Sequence, residues 1–152
     1  MRNHDVPSPI DFSNPEEARK WVEDTTLKRP WRPEFFRAFA SQIARHLTAP
    51  AKIVELGAGP GMLAEEILKS CLIERYMLVD FSAPMLDFAR HRLKRFDGIT
   101  QYIREDFRSD AWTNGLTGFD AVVTMQAVHE VRHKRHAPQL YTRIFCVIRP
   151  GG

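Results

Sequence analysis

Residues Val128–His133 read VHEVRH and contain a complete H-E-x-x-H motif. On a helix, His129 and His133 would share one face and could bind zinc, with Glu130 as the base of a metalloprotease. A catalytic zinc also needs a third protein ligand, and residues 134–152 contain no Asp or Glu. Zinc catalysis is therefore a remote alternative, and we expect no metal site.

A glycine-rich loop offers a different chemistry. The sequence VELGAGPG places Gly57, Gly59 and Gly61 between a predicted strand and a predicted helix, where doubly wound sheets bind nucleoside cofactors. Glycine allows the unusual dihedrals and the close approach of a ligand that such a turn requires. The dinucleotide fingerprint has a third glycine where this chain has Met62, which counts against NAD.

Acidic residues end three successive predicted strands, at Glu55, Asp80 and Asp106. Because parallel strands end at the same edge of a sheet, we expect these carboxylates to line one crevice. Asp80 follows the glycine loop by about twenty residues, the position from which an acidic side chain accepts hydrogen bonds from ribose hydroxyls. The pattern favours a positively charged nucleoside ligand over a pyrophosphate.

Alternating strands and helices position these residues. Strands separated by crossover helices pair in parallel, which predicts an α/β, doubly wound, Rossmann-like sheet preceded by N-terminal helices. We expect one domain, with an N-terminal helical segment or lid over residues 1–50 and a cofactor-binding core over residues 51–152. The predicted strands are 51–56, 75–80, 99–106 and 119–125, and the predicted helices are 14–23, 33–47, 62–72, 82–93 and 138–148.

The ordered segments VELGAGPG, LVDFSAPML, REDF, FDAVVTMQAVHEV and RPGG resemble the motifs of the class I S-adenosylmethionine-dependent methyltransferases. The resemblance runs from residue 53 to residue 152 and implies S-adenosylmethionine as the cofactor. It implies that Glu55 supports the glycine loop or the cofactor's amino group, that Asp80 binds the ribose hydroxyls, and that Asp106 meets the adenine amino group. The other implied cofactor contacts are Gly57, Ala58, Gly59, Gly61, Phe81, Met85, Phe107 and Gln126. Ordinary core packing is an equal alternative for Met85 and Phe107.

The resemblance also places the HEVRH segment after the fourth strand, where the acceptor should lie. His129 is then the candidate general base, while Glu130 orients its imidazole or binds a cationic acceptor. A structural role within the loop is the alternative for both residues. Methyl transfer by in-line displacement depends mainly on positioning, so few obligatory catalytic residues are expected. The sequence TMQA departs from the signature of base-amino methyltransferases, which favours a small-molecule O or N acceptor over protein or nucleic acid.

The segment TTLKRPWRPEFF, residues 25–36, places aromatic and basic residues just before the core. We expect this segment to fold over the cofactor as a lid. Trp31 or Arg32 would then reach the methionine carboxylate of the cofactor.

The sheet that the resemblance implies is incomplete. Family members continue past the RPGG turn to a sheet of order 3-2-1-4-5-7-6, whereas this sequence accounts for strands 3-2-1-4 and is expected to be truncated before strands 5-7. A bare fourth strand would expose the flat apolar edge AVVTM. Either the sequence comes from a longer protein, or a partner or a second copy, in a homodimer, covers the edge. A cofactor- or partner-binding module without catalysis is therefore the second functional hypothesis.

Composition sets the remaining expectations. No segment has the ~18 apolar residues of a membrane helix and no signal peptide is evident, so we expect a cytoplasmic protein without membrane association. Cys71 and Cys146 lie in apolar helical patterns and are expected to be buried free thiols. The net charge is only +3, and the basic runs at 90–95 and 132–136 are more typical of solvated surfaces than of nucleic-acid sites.

Overall fold

Four parallel strands form the sheet that carries the acidic residues. In the computed structural model, which describes residues 5–152, the strands are β1 (Ala51–Leu56), β2 (Ile73–Asp80), β3 (Thr100–Arg104) and β4 (Ala121–Val123). Their order is β3-β2-β1-β4, and all three neighbouring pairs are parallel. The predicted α/β class and strand order are confirmed.

Helices cover both faces of this sheet because side chains of the strands alternate between the two faces. Ile53 packs into one core and Val54 into the other, and Tyr76 and Met77 divide in the same way. The α-helices of the described residues are α1 (Pro15–Lys28), α2 (Arg32–His46), α3 (Met62–Ser70), α4 (Ala83–Arg92) and α5 (Ala137–Val147). The α2, α3 and α4 helices supply the first core, and α5 supplies part of the second.

The first helix is longer than predicted. Asn14 is its N-cap, since its Oδ1 accepts hydrogen bonds from the backbone N–H groups of Glu16 and Glu17. The Glu17 carboxylate accepts from the N–H of Asp11 instead of closing a capping box on Asn14. The helix continues past residue 23 to Lys28 because no breaker intervenes before Pro30, which disfavours helical dihedrals at the residue before it.

The fourth strand is shorter than predicted, with three residues in place of 119–125. The chain leaves the strand at Thr124 and adopts a left-handed conformation at Gln126, where φ is 56°. Phe119 instead forms an isolated parallel bridge with Ile148, just after α5. The bare edge of β4 is therefore shorter and less flat than the sequence suggested.

Two further expectations concern burial and membranes. Cys71 is half-buried, but Cys146 is exposed, so the prediction of a buried thiol is wrong for Cys146. It lies on the outer face of α5, whose buried residues are Leu140 and Val147. Within residues 5–152, no helix combines the length and the apolar character needed to cross a bilayer.

Candidate functional site

The carboxyl edge of the sheet opens into a cavity of about 400 Å³, here called the main cavity. The glycine loop after β1 forms one side, and the N-terminal helices and residues 8–12 form the opposite side. Its volume lies within the range of small-molecule and cofactor sites. The predicted site residues that line it are Glu55, Gly57, Ala58, Gly59, Asp80, Phe81, Met85, Phe107, Gln126, His129 and Glu130.

Glu55 is the most deeply buried acid of the cavity, with 3% of its surface exposed. Its Oε2 accepts a hydrogen bond of 2.7 Å from the hydroxyl of Tyr76, which is fully buried on the neighbouring strand. The pKa of Glu55 is raised to about 8, mainly by burial and also by the nearby Asp80 carboxylate, against the opposing effects of the Tyr76 hydrogen bond and the Arg32 charge. Glu55 is thus predominantly protonated at neutral pH when no cation is bound beside it.

Asp80 ends β2 and holds the glycine loop in place. Its Oδ2 accepts the N–H of Gly59 at 2.8 Å, and its Oδ1 accepts the N–H of Ser82 at 2.9 Å. Burial raises the pKa of Asp80, partly offset by these two hydrogen bonds. A carboxylate has about four acceptor positions, so further donors such as hydroxyl groups can still bind.

The three loop glycines have different physical roles, although all have positive φ. A Cβ on Gly57 would overlap the Cβ of Ala127, so this glycine allows the loops after β1 and β4 to touch. A Cβ on Gly59 would meet no atom of residues 5–152 within 4 Å, which leaves open space for a ligand against the backbone. Gly61 caps α3, and a Cβ there would press on Ala89 and Leu93 at 3.2 Å. Gly61 therefore serves helix packing and does not line the main cavity.

The loop after β4 brings His129 and Glu130 to the cavity. The two side chains are paired, with Nε2 of His129 at 3.0 Å from Oε1 of Glu130, and 64% of the His129 side chain is exposed. Glu130 also pairs with Arg132. Two non-glycine residues with left-handed backbone, Gln126 and Arg132, flank this loop. Such conformations cost about 1–3 kcal/mol each and concentrate at functional sites.

This loop geometry removes the basis for a zinc-protease motif. A short 3-10 helix covers only Val128–Val131, Arg132 is left-handed, and His133 is extended with φ −155° and ψ 136°. His129 and His133 therefore do not share a helical face. Within residues 5–152 no group of three His, Cys, Asp or Glu side chains has the arrangement of a metal site.

The corner between α1 and α2 contributes a fixed cation. The Arg32 guanidinium lies between the rings of Trp21 and Phe36, at 5.3 and 5.4 Å, and its Nη1 donates to Thr25 Oγ1 at 2.7 Å. Its Nε is buried and has no hydrogen-bond partner among residues 5–152. Burial, and secondarily the charge of Arg29, lower the pKa of Arg32. Trp31 lies outside the cavity and packs edge-on against Phe35, so of the two lid candidates only Arg32 lines the site.

A second cavity of about 520 Å³, the adjoining cavity, extends beyond Phe81. It contains Asp106, which lies two residues beyond the end of β3 and not at its last position. Asp106 therefore lines the adjoining cavity, whereas Glu55 and Asp80 line the main cavity. Phe81, Phe107 and Glu130 border both cavities, so the two form one continuous region.

Residues 5–12, here called the N-terminal strap, lie in the predicted helical segment or lid over residues 1–50, but the sequence did not indicate them as site residues. Residues of the strap line both cavities and cover the carboxyl edge of the sheet. The sequence also did not indicate Trp21 and Arg29, which line the main cavity from α1 and its C-cap. The only local signal was the pair of prolines in VPSPI, which is typical of an extended segment.

Comparison with known proteins identifies the family of the chain. The family model described as a methyltransferase domain matches residues 53–152. A non-reducing polyketide synthase of Penicillium brasilianum is 26% identical over 130 residues, which are 76% of this chain and 5% of the synthase.

Solved structures show the same fold. An S-adenosylmethionine-dependent methyltransferase structure from Methanococcus maripaludis matches with TM-score 0.72 and 17% identity, over 97% of this chain and 64% of that one. An amino pentose methyltransferase of Micromonospora echinaspora, solved with S-adenosylmethionine bound, matches with TM-score 0.70 and 22% identity, over 86% and 53% of the two chains. The chain thus spans less than two thirds of each of these relatives. Because the family model matches residues 53–152, the chain belongs to the methyltransferase-domain family, with the fold of the class I S-adenosylmethionine-dependent enzymes.

Proposed function

We propose that this chain binds S-adenosylmethionine across the two cavities and transfers its methyl group to a small-molecule acceptor. One observation carries the proposal: a buried protonatable acid, Glu55, and a half-buried cation, Arg32, whose Nε has no hydrogen-bond partner among residues 5–152, line the same cavity beside the glycine loop. A ligand with an ammonium and a carboxylate on one carbon satisfies both. The other end of the site supplies carboxylates for a nucleoside, at Asp80 and Asp106.

The residues present fit this cofactor. The Arg32 guanidinium would donate to the methionine carboxylate, and Glu55 would accept from the ammonium group. Asp80 would accept from the ribose hydroxyls, and Asp106 from the adenine amino group. The open space at Gly59 leaves room for the ligand against the loop backbone. Phe81, with 40% of its surface exposed, offers an aromatic face between the two cavities.

When bound, S-adenosylmethionine supplies a methyl group that is already activated by a positively charged sulfur. The protein's work is therefore to align an acceptor with it and to exclude water, effects that together are worth about 7–11 kcal/mol for well-positioned reactants. Gln126 to Glu130 form the wall where the acceptor would lie. The side chain of Glu130 holds Nε2 of His129, which leaves Nδ1 to take the proton that an O–H or N–H acceptor releases.

A small-molecule acceptor is supported by the size of the main cavity and by two of the comparisons. The similar proteins include a polyketide synthase and an amino pentose methyltransferase, whose names refer to small-molecule chemistry. The cytoplasmic location and the homodimer through the β4 edge stay predictions. Light scattering of the purified chain would measure its oligomeric state and so test the homodimer.

Binding of the cofactor product is the first test. S-Adenosylhomocysteine should bind in calorimetry, and Arg32→Gln should weaken it about 10- to 100-fold, because a charge-assisted hydrogen bond is worth about 1.5–3 kcal/mol. Arg37→Gln removes the same charge from the exposed side of α2 and should change nothing. Methylthioadenosine lacks both the carboxylate and the ammonium group, so its affinity should be the same in all three proteins. Equal loss of affinity for both ligands would contradict the assigned role of Arg32.

Turnover is the second test. Transfer of a labelled methyl group from S-adenosylmethionine to members of an acceptor panel would support catalysis. Binding of S-adenosylhomocysteine without transfer to any acceptor would favour the alternative of a cofactor-binding module without catalysis. Absence of binding would reject both.

A further inference from the structure

The N-terminal strap is held at its two ends and spans the cavities between them. At one end the N–H of Val6 donates to the carbonyl of Arg132 at 3.3 Å. At the other end the Ser82 hydroxyl donates to the carbonyl of Phe12 at 2.5 Å, and the Phe12 ring packs edge-on against Trp21. Between these points Pro7 and Pro9 have no N–H to donate. A ligand that occupies both cavities would therefore lie beneath the strap, a segment that makes few hydrogen bonds.

An ionic chain connects the end of this strap to the cofactor site. Asp5 lies 2.9 Å from both Arg135 Nη2 and His136 Nε2, and 3.6 Å from Arg108 Nη1. Arg108 in turn grips the Asp106 carboxylate, with Nε and Nη2 at 2.8 and 2.6 Å from Oδ2. The backbone N–H of Arg108 donates to the other oxygen, Oδ1, at 2.8 Å. One guanidinium thus bridges an acid that lines the adjoining cavity and the acid that fixes the strap.

We propose that Arg108 is a positioning residue that couples occupancy of the nucleoside site to closure of the N-terminal strap, an inference that rests on the proposed function. Three N–H groups of Arg108 make four contacts with the Asp106 carboxylate and set its direction, and about one of its four acceptor positions is left for the cavity. A donor group of the ligand that fixes Asp106 also fixes Arg108. The same guanidinium then presents Nη1 to Asp5 and holds the strap over the bound ligand.

The charges around Asp5 determine which contacts each variant removes. Asp5 faces three basic groups, from the loop after β3 and from the short helix before α5. Removal of Arg108 leaves Asp5 attached at Arg135 and His136, so the strap loses one of its contacts and its link to the site. Removal of Asp5 leaves Arg108 on Asp106, so the cofactor contact survives, while the strap loses its ionic contacts and keeps its hydrogen bonds at Arg132 and Ser82. The two variants thus interrupt the same ionic chain at different points.

The test uses Arg108→Gln, Asp5→Asn and the double variant, with Arg104→Gln as the matched control. Arg104 is an exposed arginine at the end of β3, on the same segment but with no part in the ionic chain. Hydrogen exchange of Val6, Ser8, Ile10, Asp11 and Phe12 reports closure, and stopped-flow displacement of S-adenosylhomocysteine reports retention of the ligand. Thermal unfolding of each variant shows that the fold is intact.

We expect S-adenosylhomocysteine to slow exchange of the strap amides in the wild-type chain and in Arg104→Gln. Arg108→Gln and Asp5→Asn should lose this protection and should release the ligand about three- to fivefold faster, the size of effect that partly exposed ion pairs produce. The double variant should be no faster than the faster single variant, because both act on one chain of contacts. Ligand binding with equal protection and equal release in all variants would overturn the coupling alone. Failure of the wild-type chain to bind S-adenosylhomocysteine would refute the proposed function, and the coupling with it.

Discussion

Three glycine-to-alanine variants separate backbone strain, steric overlap and loss of ligand space. Gly57, Gly59 and Gly115 have φ of 65°, 55° and 73°, so an alanine is strained at all three. The left-handed conformation costs an alanine about 1–2 kcal/mol. Gly115 is exposed in a loop away from the cavities, and a Cβ at this position would have no atom of residues 5–152 within 4 Å. Gly115→Ala therefore measures the strain by itself.

Gly57→Ala adds an overlap with the Cβ of Ala127, and the Phe107 ring lies 3.6 Å away. Overpacking of a tight site costs about 1–3 kcal/mol, so the total loss should be about 2–5 kcal/mol. Ala127 follows the left-handed Gln126 in the loop that carries His129 and Glu130. An alanine at position 57 should therefore displace that loop. Gly59→Ala should lose only the strain energy but should also lose binding of S-adenosylhomocysteine, because the Cβ would occupy ligand space.

Urea unfolding gives the free energy of unfolding of each variant, and calorimetry gives its affinity for S-adenosylhomocysteine. We expect Gly59→Ala and Gly115→Ala to be equally stable and Gly57→Ala to be less stable than both. Only Gly115→Ala should keep the affinity of the unmodified chain for S-adenosylhomocysteine. Equal stability of Gly57→Ala and Gly115→Ala would show that the loops after β1 and β4 do not touch as described. Full affinity of Gly59→Ala would remove the glycine loop from the ligand site.

Two other residues give separate predictions. The pKa of Glu55 is raised to about 8 from an ordinary 4.5, so the stability from its protonated form is full below pH 4.5 and is lost as pH rises through 8. Relative to Glu55→Gln, which stays neutral, the wild-type chain should lose about 1.4 kcal/mol of unfolding free energy per pH unit within that window; a constant difference between pH 5 and pH 8 would contradict the burial of this acid. Binding of S-adenosylhomocysteine at pH 7 should release a proton from Glu55, so the calorimetric enthalpy should vary with the ionisation enthalpy of the buffer, and this dependence should vanish in Glu55→Gln. His129→Gln should lower kcat about 100- to 10,000-fold on an O–H or N–H acceptor while leaving cofactor affinity unchanged; an unchanged kcat would assign His129 a structural role.

Local patterns in the sequence were sufficient to predict the sheet and many of the residues that line the main cavity. Hydrophobic strand segments followed by glycine, and helices between them, determine a parallel order with few alternatives. Glu55, Asp80 and the glycine loop lie at the ends of regular elements, so their position followed from the elements. Cys146 shows the limit of periodicity, because α5 carries large apolar residues on more than one side, with Phe145 81% exposed, and the pattern does not identify the buried face.

The features that the sequence did not reveal depend on contacts between distant segments. Asp5 meets Arg135 and His136 about 130 positions away, and neither segment has a periodic pattern that predicts the meeting. The HEVRH motif was misleading for a related reason, since its meaning requires a helix and the backbone at Arg132 interrupts one.

The same dependence on tertiary context explains why the charges of the main cavity had to be seen in three dimensions. Glu55 and Arg32 are both ionisable, but burial makes the Glu55 acid neutral, whereas the guanidinium keeps its charge because its ordinary pKa lies far above neutral. A clamped guanidinium attracts the carboxylate of an amino acid, and a neutral acid can ionise to accept its ammonium group, so each side chain would gain a partner when an amino acid binds. A ligand with only one of these groups would leave the other side chain without its partner in a buried site, which costs about 1–3 kcal/mol per unsatisfied group. The proposed selection for the intact amino acid end of the cofactor therefore rests on two residues that lie 23 positions apart in the chain.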